Sequence, residues 1–194
     1  MFLHILYRLE MLYVMNTFSN FLNCIKRRPV AVAEIQGSRD YPDITGRVLF
    51  YSARGGVLVR AEITGLPKAT NNCDSPIFAF HIHGGNACSG NHTDMFADVG
   101  THFNSYNCPH PYHAGDLPPL FSANGNAVLE VLTDRFTLSQ IIDKTVIIHS
   151  APDDFTTQPS GNAGEKLPVG LLKIPFYKMI KSPPSNRWGS CYAL

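Results

Sequence analysis

The chain has 194 residues, 44% of them hydrophobic and 16% charged, with a formal net charge of +1. That length fits one domain of ordinary size with a substantial core. A charge so close to zero removes the electrostatic case for a nucleic-acid partner, and no long basic run interleaved with aromatics appears.

Residues 1–29 begin MFLHILYRLEMLYV, an apolar stretch interrupted by Arg8 and Glu10. The basic cluster Lys26-Arg27-Arg28 follows the apolar part, whereas a secretory signal carries its charge first. The unbroken apolar runs are also too short to span a bilayer. The segment reads as an N-terminal extension outside the core, with Met11 and Met15 as alternative starts. A cytoplasmic location is the expectation.

From Val30 the chain reads as short strands separated by turn chemistry. VAVAEIQG leads to YPDITG and then to RVLFYSARGGVLVRAEITGLP, in which Arg54-Gly55-Gly56 supplies a hairpin turn. Val57, Val59, Ala61 and Ile63 alternate with Leu58, Arg60, Glu62 and Thr64, the pattern of a half-buried strand. IFAFHIH is a further strand. Asn124-Gly125 is a turn dipeptide that opens the strand NAVLEVLT, and KTVIIHS and VGLLKI complete the set. TLSQIID (137–143) predicts a short helical turn capped by Thr137 or Asp134. Strands joined by short turns imply an all-β domain, an antiparallel sandwich or barrel. Two stretches, 84–120 and 150–166, break the pattern and read as long functional loops. The last segment, 175–194, has Pro183-Pro184, basic residues and no acidic one, and reads as a flexible tail.

The five cysteines, Cys24, Cys73, Cys88, Cys108 and Cys191, include no CxxC pair. Their odd number leaves at least one without an intrachain partner, so unpaired thiols in a reducing compartment are the expectation.

Every histidine except His4 lies between His81 and His149. His81 and His83 stand two apart at the end of an apolar strand, so both leave the same face. His102 follows in THFN, His110, His113 and Asp116 in CPHPYHAGDLPPL, and His149 in VIIHS. Taken singly, each histidine is more simply a surface or core residue. Six of them with an aspartate, set between strand ends, are hard to explain by packing. Imidazole suits copper and zinc, and a carboxylate can complete a tetrahedral zinc site.

FHIH, HFN, PHPYHAGDLPPL, VIIHSAPDD and GNAGEKLPVG, in that order, resemble the copper/zinc superoxide dismutases, in particular the bacterial branch with a short zinc loop. The resemblance covers residues 30–174, which defines the domain, and implies a Greek-key antiparallel β-barrel. It further implies that His81, His83, His102 and His149 bind copper, and that His102, His110, His113 and Asp116 bind zinc. Asp153 corresponds to a carboxylate that links a copper histidine to a zinc histidine. His4 and His92 match no ligand position. The activity implied is conversion of superoxide to dioxygen and hydrogen peroxide through a Cu(II)/Cu(I) cycle, with His102 as the bridging, proton-carrying imidazole. Superoxide is the expected substrate, with no nucleic acid and no membrane span, and a homodimer is compatible with the resemblance.

Two departures matter. Lys166 stands where the family places an arginine that draws the anion to copper. A lysine keeps the charge but loses the planar fork, which predicts lower but retained activity. Cys88 occupies the position of the first cysteine of the family's structural disulfide, yet the second position, three after Lys166, is Val169. Cys73, Cys108 and Cys191 then remain as partners for Cys88, and the sequence does not choose among them. The rival readings are a copper- and zinc-binding relative with weak or no turnover, serving storage or delivery, and a structural β-sandwich holding zinc alone.

Overall fold

The computed structural model describes residues 28–71 and 76–175, so the expectations for the N-terminal extension and the C-terminal tail lie outside the described residues, as do Cys24, Cys73, Cys191 and His4. Eight strands are present: β1 (Ala31–Ile35), β2 (Thr45–Ala53), β3 (Gly56–Thr64), β4 (Ile77–His83), β5 (Asp116–Phe121), β6 (Ala127–Thr133), β7 (Thr145–His149) and β8 (Lys166–Lys173). They form one antiparallel sheet in the order β5-β4-β7-β8-β1-β2-β3-β6, and its two ends lie against each other, which gives the expected Greek-key barrel.

Alternation explains why these segments form strands. Ala31, Ala33 and Ile35 point into the barrel with Val48, Phe50, Val57, Val59, Ala61 and Ile63, while Arg47, Arg60 and Glu62 remain outside as an ion-paired ladder. The hairpin between β2 and β3 turns at Gly55, whose φ of 91° suits glycine. Asn124 and Gly125 likewise take φ of 51° and 82° and turn the chain from β5 into β6. A single helical turn, α1 (Leu138–Ile141), starts at Thr137, whose backbone N–H donates to Gln140 Oε1.

β4 and β7 depart from simple alternation because both of their faces are covered. Phe78, Phe80 and Ile82 of β4 and Val146 and Ile148 of β7 fill the barrel. The opposite faces carry His81, His83, Ile147 and His149, and all four are buried beneath the loops 84–115 and 150–165. The first loop is anchored there by an apolar cluster of Phe96, Val99, Ile147 and Val169, with Cys88 and Met95 packed against it.

One expectation needs correcting. The stretch 84–120 is not loop throughout, because β5 begins at Asp116 and a 3-10 turn spans Ala97–Val99. Pro118 and Pro119 disguise β5 in the sequence. It pairs with β4 along one side only, so a proline lacking an N–H is tolerated on the other, and Leu117 and Leu120 still reach the core.

Candidate metal centre

The outer face of β4 and β7 supplies the first three histidines. His81 and His83 leave β4 on one side as period two requires, and antiparallel pairing with β7 sets His149 beside them. The fourth arrives from the loop. Gly84 N–H donates to Thr101 O and Phe103 N–H to Ile82 O, so the chain around His102 runs alongside the end of β4, with His102 opposite His83. Past His102 the loop presents His110 and His113 and enters β5 at Asp116. Arg135 fixes this turn: its Nη1 donates to the carbonyls of Pro111, His113 and Asp116 at 3.0, 3.3 and 3.3 Å.

Two groups of donors result, His81/His83/His102/His149 and His102/His110/His113/Asp116, and within each the ligand atoms lie within 4.8 Å of one another. His102 belongs to both. Its Nδ1 faces the second group, 2.7 Å from Asp116 Oδ1 and 3.5 Å from His113 Nδ1. Its Nε2 is buried and has no hydrogen-bond partner.

The remaining nitrogens are sorted by their outward partners. Asp153 accepts from His81 Nε2 at 2.8 Å through one oxygen and from His110 Nε2 at 2.9 Å through the other. This holds both rings as Nε2–H tautomers and leaves their Nδ1 atoms buried and unpartnered, facing inward. His83 donates Nδ1–H to Gly100 O at 2.8 Å, which turns its Nε2 towards His149 Nε2, 3.3 Å away. His149 Nδ1 makes no well-formed hydrogen bond, although the Gly164 backbone lies close enough to favour its protonated form slightly.

These residues fit metal ions. A buried nitrogen without a hydrogen bond is costly unless something else binds its lone pair, and His81, His102 and His110 each present one. In the second group the His110 Nδ1–Asp116 Oδ2, His113 Nδ1–Asp116 Oδ2 and His113 Nδ1–His102 Nδ1 separations are 3.2, 3.3 and 3.5 Å. Four ligands about 2.0–2.1 Å from a tetrahedral zinc stand roughly 3.3 Å apart. Three imidazoles with one carboxylate suit zinc, and four imidazoles suit copper.

Electrostatics prepare the same atoms. Burial pushes the imidazole pKa down to about 2 for His83 and about 3 for His149, and lowers those of His81 and His113. All four are therefore neutral near pH 7, the form in which histidine binds metal. Burial works against the charge of Asp153, but hydrogen bonds from His81, the Phe155 N–H and His110 outweigh it and hold the carboxyl at about 2. Asp116 is likewise held below the usual range, with burial opposed by His102 above all.

The copper/zinc superoxide dismutase family model matches residues 44–172. The chain belongs to the copper/zinc superoxide dismutase family. Among its relatives, a Cu-Zn superoxide dismutase of Legionella pneumophila is 32% identical over 137 residues, covering 68% of this chain and 80% of that protein. Cu-Zn superoxide dismutase 2 of Aquifex aeolicus is 29% identical over 146 residues, with the same two coverages, and the Caulobacter vibrioides protein is 28% identical over 145 residues, 66% of this chain and 78% of its own length. The cofactors are copper and zinc, and the two donor groups are the clusters able to take them among the described residues. No described helix is long and apolar enough to cross a membrane.

Every ligand position that the resemblance implied is brought into one of the two groups, and Asp153 joins them. His92 is exposed and stands apart, as expected. Asp154, next to Asp153 in the chain, faces solvent and caps its own turn through Thr156 and Thr157. Lys166 opens β8 opposite His149, close enough for its charge to lower that histidine's pKa. Its ammonium is not free, however: Nζ donates to Asp94 Oδ2 at 2.6 Å and to Phe96 O at 3.2 Å. Cys88 is disulfide-bonded and Cys108 is a free thiol, which removes Cys108 from the three partners left open by the sequence. Val169 fills the partner position of the family's bridge with apolar packing instead.

Sequence reading missed Arg135, Asp94 and Gln158, which accepts from His110 N–H at 3.0 Å and donates to its carbonyl at 2.7 Å. All three act on residues distant in sequence, and no local pattern marks them. Gly161 did carry a signal inside GNAGEK. Its φ is 72°, and a Cβ there would overlap Asp153 Oδ1 and His110 Nε2.

Proposed function

We propose that the four-histidine group holds copper, that His102, His110, His113 and Asp116 hold zinc, and that the chain uses the pair to dismute superoxide to dioxygen and hydrogen peroxide. The observation that carries the reading is His102, which belongs to both groups: its Nδ1 lies against Asp116 and His113, and its buried Nε2 has no hydrogen-bond partner. Bound copper supplies the one-electron couple that oxidises one superoxide and reduces the next, while zinc, without redox chemistry, polarises the shared imidazole. His102 would hold or release a proton at Nε2, its unpartnered ring nitrogen, while its Nδ1 stays committed to the second group. Asp153 keeps His81 and His110 in register with each other. Lys166, paired with His149 across the β7–β8 ladder, supplies the positive charge that draws a small anion inward. The domain carrying the activity is residues 30–174. A homodimer belongs to the same proposal and is read by sedimentation.

A carrier without turnover is not favoured, because all seven ligand positions and the linking carboxylate are kept and oriented. The test is metal content by mass spectrometry followed by a superoxide assay on the loaded protein. About one copper and one zinc per chain with rapid turnover is the expected result. Zinc without copper, or both without turnover, would overturn it.

A further inference from the structure

The structure assigns Asp94 a part in the reaction: we infer that it tethers Lys166 and so sets how strongly the site draws small monovalent anions. The inference rests on the reading of Lys166 as the anion guide. An ammonium group has three donors. Asp94 Oδ2 takes one at 2.6 Å and Phe96 O a second at 3.2 Å, which leaves one for an incoming anion and a nearby negative charge that cancels much of the attraction. Asp94 does not depend on Lys166 for its place. Its Oδ1 accepts the Phe96 N–H at 2.9 Å, its own N–H donates to Asn91 Oδ1 at 3.0 Å, and its carbonyl accepts the Asn91 N–H at 2.8 Å. Phe96 in turn is buried against Val99, Ile147 and Val169. The carboxylate is thus fixed to the loop, and the flexible lysine comes to it. The side chains are 22% exposed for Lys166 and 43% for Asp94, so the pair lies at the surface of the site rather than within it.

Asp94→Asn is the discriminating variant, since it retains Oδ1 for the Phe96 N–H and removes both the charge and the acceptor facing Lys166. Azide, a small monovalent anion, is titrated into the copper- and zinc-loaded protein and followed by the copper visible band. Asp94→Asn should tighten azide binding roughly twofold to tenfold at low ionic strength, and raise kcat/KM for superoxide in the same direction. The gain should shrink with salt and vanish in a Lys166→Met background. Unchanged or weaker azide binding, or a gain that survives Lys166→Met, would overturn the inference. A second measurement needs no metal: NMR relaxation of the Lys166 side chain in the metal-free protein. A restrained methylene chain in the wild type that becomes mobile in Asp94→Asn supports the tether, and a lysine as mobile as exposed ones in the wild type refutes it. Failure of the functional reading shows separately, as a loaded protein that does not dismute superoxide.

Discussion

The two halves of the centre are built by different means. His81, His83 and His149 stand on β4 and β7, where ladder hydrogen bonds and a packed barrel behind them set every Cβ direction. His110 and His113 stand on a loop, and their placing depends on a few long-range polar contacts from Arg135, Gln158 and Asp153. A strand ligand is thus positioned at the cost of folding the domain, whereas a loop ligand is positioned by contacts that open locally at much lower free energy. The strand half is accordingly organised before metal arrives, and the loop half draws more of its order from the ion.

The largest effect should come where the halves meet. His102→Ala removes a donor from both groups at once, so it should abolish rapid dismutation and weaken zinc more than the roughly 10- to 100-fold associated with losing an outer partner. Competition titration with a chelator and the superoxide assay measure the two losses. Equal zinc affinity in the variant and the wild type would break the picture of a shared ligand.

Next in size is a contrasting pair. Asp153→Asn can no longer accept hydrogen bonds through both oxygens from His81 and His110, so it should weaken copper and zinc alike by roughly 10- to 100-fold. Arg135→Met touches the loop half alone and should lower zinc affinity several-fold while copper affinity stays near the wild-type value. Titration of each metal in each variant decides this. A copper loss in Arg135→Met as large as its zinc loss would show that the halves are not separately supported.

The smallest effect concerns the metal-free protein. His83 and His149 have folded pKa values of about 2 and about 3, below the ordinary imidazole value near 6.5. Between those limits the unfolded chain binds protons that the folded chain refuses, so stability falls as pH falls. Stability from this source is fully present above about pH 6.5 and is lost progressively towards about pH 2. Urea unfolding of the metal-free protein from pH 7.5 to pH 4 should show the midpoint dropping with acid. Bound zinc and copper should delay the drop, because the ions compete with protons for the same nitrogens.

Much of this was legible in one dimension. Alternation of apolar residues specified the strands, Gly55 and Asn124-Gly125 specified two turns, and the HxH pair at the end of β4 specified a shared face, because each depends only on neighbours in the chain. The order of His81, His83, His102, His110, His113, Asp116 and His149 pointed to the candidate ligand set and to the family. Other features had no local signature. β5 was hidden by Pro118-Pro119, since only its position at one end of the sheet order makes those prolines tolerable. That Cys108 is not the partner of Cys88, that Arg135 holds the loop of His110 and His113, and that Lys166 meets Asp94 across 72 positions were decided by the tertiary structure alone. The physical reason is the same in each case. Sequence patterns report what a residue does to its own backbone and face, whereas the partner of a charge or a thiol is set by which distant segment the fold brings within reach.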